Sequence, residues 1–109
     1  MNSEILKKIE QYDKNIDLDR INQVIEFVLE KYHNSEVKKI DLNQVVDLLI
    51  PLKPDFDTIV TVFLYDLYML DLLNDEKVKN MFGKSVLNLL HSLKKLSSLS
   101  YAENDKTSQ

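Results

Sequence analysis

Asp66 stands in the middle of FLYDLYMLDLL, residues 63 to 73, where almost every neighbour is apolar. On helical geometry it shares a stripe with Val62, Phe63, Met69, Leu70 and Leu73. Burying an unpaired charge is costly, so a carboxylate on such a stripe must be partnered, neutralised or beside a wet cavity. Two roles fit: a bond or cap to a neighbouring helix, or the working or vestigial acid of an active site. Other candidates for chemistry are few. His33 and His91 are the only two histidines and there is no cysteine, whereas a metal site usually needs three or four converging ligands. Neither histidine stands in a tight ligand spacing such as HExxH. Structural roles are favoured for both. His33 closes a helical stretch, where a cation suits the negative end of the dipole, and His91 lies beside Leu87 and Leu90. The sole glycine, Gly83, cannot build a GxGxxG or phosphate-cradling loop. No nucleophile elbow supports a Ser/His/Asp triad.

The elements that would position these residues are helical. Ile5, Ile9 and Tyr12 follow a helical period behind a Ser3 cap, within residues 3–14. The next helix starts at Asp17 or Asp19 and carries the stripe Ile21, Val24, Ile25, Val28 and Tyr32. HNSEVKK reads as a polar joint. Asp41 with Gln44 forms a capping box for a short helix bearing Val45, Val46, Leu48, Leu49 and Ile50, which Pro51 and Pro54 stop. Asp57 is expected to cap a helix over 58–73 that is apolar nearly all round, and so central to the bundle. NDEKVKNMF reads as a short helix with acids in its first turn, broken by Gly83. A last helix over 84–99 carries Val86, Leu87, Leu89, Leu90, Leu93 and Leu96, and YAENDKTSQ is expected to fray. The fold class is therefore all-α, a compact bundle of five or six short helices spanning residues 1–100, with a polar tail at 101–109.

Composition narrows the function classes. One domain is the expectation for 109 residues, and 44% apolar with 29% charged residues is ordinary for a folded chain. One glycine and two prolines are too few for the many turns of a sheet protein. The net charge is −4, and the pairs Lys7/Lys8, Lys38/Lys39 and Lys94/Lys95 are scattered among acids. That argues against direct nucleic-acid binding, which needs a clustered basic face. The N-terminus lacks an apolar signal core and no run long enough to span a bilayer occurs. A cytoplasmic protein with no membrane partner is the expectation.

The run PDFDTIVTVFLYDLYMLDLLNDEKVKNMFGKSVLNLLHSLKKLSSL, from Pro54 to Leu99, resembles the N-terminal HD hydrolase domain of RelA/SpoT proteins. That family makes and degrades the alarmone (p)ppGpp. The likeness lies in Asp55/Asp57-Thr58-Ile59, in Phe63-Leu64-Tyr65-Asp66, and in Phe82-Gly83-Lys84-Ser85-Val86 followed by Leu89-Leu90-His91-Ser92-Leu93. GKSVLNLLHSLKKL is most similar to the synthetase-only RelA branch, whose domain has lost hydrolysis. Residues 42–50 match more weakly, and the first forty only as helices.

The resemblance implies an HD-like helical fold and, where active, a manganese ion held by histidines and aspartates. Residue by residue, the active pattern is broken. The histidine of the His-Asp pair is Tyr65, and a phenol with a pKa of about 10 is a poor ligand beside imidazole. The Glu-Asp pair that handles the hydrolytic water falls on Met69 and Leu70. The histidine before proline falls at Asp41, and the earliest histidine near Tyr32 or His33. The last metal aspartate would lie beyond residue 109. His33, Asp41 and Asp66 are thus vestigial metal positions, with no catalytic residue, no metal and no cofactor expected. The implied function is a non-catalytic pseudo-hydrolase domain of a RelA-type GTP pyrophosphokinase. Its partner would be the adjacent synthetase domain, and homo-oligomerisation is also compatible with the sequence. The alternatives are an unusual manganese-dependent (p)ppGpp phosphohydrolase and a stand-alone helical protein-interaction module.

Overall fold

A stripe of Ile21, Val24, Ile25, Val28 and Tyr32 winds along the second helix, and all five side chains are buried, as the helical period requires. The computed structural model describes the backbone over residues 3–34 and 41–107 and side chains as far as Ser98. The expected polar joint at 33–39 therefore falls almost wholly outside the described residues. Six α-helices follow one another: α1 (Ser3–Tyr12), α2 (Leu18–His33), α3 (Leu42–Leu49), α4 (Phe56–Met69), α5 (Asp75–Phe82) and α6 (Lys84–Thr107). A single 3₁₀ turn, Ile50–Leu52, lies between α3 and α4. The described residues include no strand, and the chain is an all-α bundle.

α4 is the centre. It packs against α2 on one side and α6 on another, while α5 packs on α6 and α1 on α2 and α3. Its buried residues, Ile59, Val60, Thr61, Phe63, Leu64, Leu67 and Tyr68, cover about half of its circumference, and the rest of the helix is half-buried. Among them Thr61 donates its hydroxyl to the Asp57 carbonyl at 2.6 Å. Among the described residues no helix is long and apolar enough to cross a membrane.

Helix boundaries follow side-chain caps. Asp17 accepts from the Arg20 N–H, Asp41 from the Asn43 and Gln44 N–H groups, and Asn74 from the Lys77 N–H. Ser3, expected as a cap, is itself the first described helical residue. The cap of α4 is Asp55, not Asp57. Asp55 is extended (φ −82°, ψ 176°) directly after Pro54, and its Oδ1 accepts from the Thr58 N–H at 2.9 Å. Asp57 is already in the first turn.

α4 also ends earlier than the apolar pattern implies, at Met69 instead of residue 73. Asp71 enters the left-handed region (φ 61°), the Asp71 N–H bonds to the Tyr68 carbonyl and the Leu72 N–H reaches back to the Leu67 carbonyl. That is a Schellman closure with aspartate in the place glycine usually takes. Turning there carries Leu73 into the core, where it is buried, and this burial offsets the strain.

Two apolar stripes are narrower than the sequence implies. On α3 only Leu42 and Val46 are buried, and Leu48 is 70% exposed. On α6 Val86, Leu87 and Leu90 are buried, whereas Leu89 and Leu96 face solvent. The backbone of α6 is helical through Thr107, past the expected end at 99 and through most of the expected frayed tail. SSLSYAENDKT holds no proline or glycine to stop it.

Candidate functional site

Asp66 sits in the last turn of α4, facing the last turn of α2. There Tyr32 Oη donates to Asp66 Oδ2 at 2.8 Å. Asp66 is half-buried and Tyr32 buried, so the acid does bond a neighbouring helix. Burial chiefly, and then the bond to Asp66, push the Tyr32 phenol well above the ordinary value of about 10. A phenol so held gives up its proton reluctantly.

The other residues singled out from sequence do not converge on Asp66. His33 is exposed at the end of α2. Asp41 is exposed, with Oδ1 engaged by the α3 N-terminus. Tyr65 is half-buried and packs against the core. Met69 is half-buried, but Leu70, at the helix C-cap, is 44% exposed. Leu70 faces solvent because the helix ends there and turns away. Among the described residues no group of three or more His, Asp or Glu side chains is arranged to hold a metal ion.

A second polar cluster had no visible sequence signal. Tyr68 Oη donates to Asp75 Oδ1 at 2.6 Å, and His91 Nε2 lies 2.9 Å from Asp75 Oδ2. Lys94 Nζ lies 5.4 Å from the centroid of the Tyr68 ring. These residues come from the end of α4, the first turn of α5 and the middle of α6, so the Asp75 carboxylate ties three helices together. The Tyr68 and His91 bonds hold the Asp75 carboxyl below its usual range, and burial chiefly pushes Tyr68 up to about 12. His91 and Asp75 form an oriented imidazole–carboxylate pair. Among the described residues the only hydroxyl bonded to it is that of Tyr68, which is buried. Tyr68, Asp75 and His91 are separated by 7 and 16 residues. Those spacings follow from how helices pack and match no local motif.

The two phenols give a measurable signature. A tyrosine whose folded pKa is raised contributes stability that is fully present below its unfolded value and is lost as pH rises through the folded value. In an alkaline titration followed by phenolate absorbance, Tyr68→Phe is expected to remove a wave near pH 12. Tyr32→Phe is expected to remove the last wave to appear. An ordinary wave near pH 10 disappearing in Tyr32→Phe would show that the Tyr32 phenol is neither buried nor bonded to Asp66 in solution.

No family model, no curated protein and no solved structure matches the chain.

Proposed function

We propose that this chain is a non-catalytic helical module that acts through its surfaces instead of a reacting centre. The observation that carries this reading is the Asp66 carboxylate held by the Tyr32 hydroxyl at 2.8 Å. The acid in the last turn of the central helix is engaged in joining α4 to α2. Around it stand Tyr65, Met69 and Leu70, side chains that neither relay a proton at neutral pH nor ligate a divalent ion as imidazole and carboxylate do.

The finer proposal is a degenerate HD domain of a RelA-type (p)ppGpp synthetase, scaffolding or restraining an adjacent synthetase domain in the cytoplasm. Its support is the residue pattern from Pro54 to Leu99. A six-helix bundle is compatible with it, as with many unrelated helical modules, since fold alone does not assign function.

The purified chain incubated with ppGpp and manganese is expected to release no pyrophosphate above the protein-free rate. Manganese-dependent release that Asp66→Ala abolishes would make the chain a phosphohydrolase and end the proposal. The family attribution is checked separately by the reading frame beyond residue 109. A pyrophosphokinase domain there supports it, and any other continuation leaves only the interaction module.

A further inference from the structure

α6 outruns the core it packs on. Its 24 residues make a rod about 36 Å long, and the side chains it buries, Val86, Leu87 and Leu90, all lie in its first two turns. Among the described residues no side chain of α6 beyond Leu90 is buried, yet the helix runs on to Thr107. Helix with nothing packed against it is marginal in water.

A second apolar stripe runs beside the buried one. Leu89, Leu93 and Leu96 are spaced by four and three residues, as in the seam between two paired helices. Leu89 is 37% and Leu96 61% exposed, and Leu93 is half-buried. The stripe lies about a quarter of a turn round the helix from Val86, Leu87 and Leu90, so packing on α4 and α5 leaves it open. Ser85 and Ser92, both exposed, flank it. By the same period Lys84, Lys94 and Lys95 fall on the far side of the helix. In a chain that is 29% charged, this face carries no charge from Ser85 to Leu96. Leucines on a face cleared of charge have the composition of an interface centre.

We propose that this face is a dimer interface, on which α6 of a second copy of the chain lies antiparallel. A two-fold axis between Ser92 and Leu93 brings Leu89 of each copy level with Leu96 of the other. The stripe thus covers itself, as a two-fold contact requires. Charge sets the direction. Lys84, Lys94 and Lys95 belong to the first half of α6, and Glu103 and Asp105 to its last two turns. A parallel pair sets lysines level with lysines. The antiparallel pair sets Lys84 of one helix within about a turn of the acidic end of the other. The contact is one helix wide and smaller than a standard interface of about 800 Å² per partner, so the dimer dissociates on dilution. This inference rests on the reading of the chain as a module acting through its surfaces, which the pyrophosphate assay tests separately, and not on the family attribution.

Sedimentation equilibrium of the whole chain, up to about 1 mM, is expected to show a reversible monomer–dimer equilibrium. Leu96→Lys is expected to weaken it at least tenfold, through two desolvated leucines lost per dimer. Its melting temperature, read where both proteins are monomeric, is expected to match the parent's, since Leu96 is outside the core. Leu48→Lys, on α3 at 70% exposure, is expected to leave the dimer intact. Direction is read with a short bis-maleimide, because the chain has no cysteine of its own. Ser92→Cys, beside the axis, is expected to cross-link two copies. Ser85→Cys is not, since the antiparallel arrangement holds its two copies roughly 20 Å apart along the helices. A chain that stays monomeric at every concentration overturns the proposal and leaves the face to a partner of other sequence. Equal weakening by Leu48→Lys and Leu96→Lys overturns it as unspecific association, and cross-linking at both serines overturns the antiparallel arrangement.

Discussion

Phe63→Ala is expected to lower the free energy of unfolding by about 3–5 kcal/mol, the range for truncating a buried aromatic side chain. Phe63 has no solvent exposure and is the largest of the fully buried side chains. It sits in the core on α4, the helix against which both α2 and α6 pack. A domain of this size is stable by about 5–15 kcal/mol in all, so the variant retains a modest margin at best. Leu70→Ala, three residues before buried Leu73 but itself 44% exposed, is expected to cost less than about 1 kcal/mol, as surface substitutions do. Urea denaturation of both variants checks the pair. Comparable losses would mean that α4 continues past Met69 and buries Leu70, as the apolar pattern alone implies.

Gly83→Ala is expected to cost about 1–3 kcal/mol, through backbone conformation alone. Gly83 joins α5 to α6 with φ 99° and ψ 166°, in a region that L side chains rarely adopt. A Cβ built there meets nothing within 4 Å, so steric overlap contributes nothing. The residue is fixed from both sides. Its N–H bonds to the carbonyls of Val78 and Lys79, and its carbonyl accepts from the Leu87 N–H. Relaxing φ breaks the end of one helix or the start of the next. Asparagine offers no relief, because the left-handed helical region it tolerates has a much smaller ψ. A chemically synthesised chain with D-alanine at this position is expected to be at least as stable as the parent, since the mirror conformation is ordinary extended backbone. Loss of stability with D-alanine would place the cost in space instead of conformation.

The α2 stripe and the Asp41 cap were legible, and the start of α2 to within Asp17 or Asp19, because each depends on residues within one or two turns. The α4 cap was misplaced by two residues, since Asp55 and Asp57 are equally good acceptors. What separates them is the extended backbone that follows Pro54. The end of α4 was not legible because Asp71 gives no glycine signal for its left-handed turn. Leu89 and Leu96 were placed with the core on a period that cannot say how far a neighbouring helix extends.

The candidate sites divide the same way. That Asp66 must be partnered, neutralised or beside a wet cavity followed from its apolar neighbours and the cost of burying charge. That the partner is the Tyr32 hydroxyl, 34 residues away, follows from α2 lying beside α4. The Tyr68–Asp75–His91 tie has the same origin, in helices brought side by side. By itself the sequence determined an all-α chain with α4 at its centre, because period, composition and caps act over a few residues. Which polar groups meet was decided by tertiary packing, because hydrogen bonds and charge pairs act over a few ångströms of space whatever the separation along the chain.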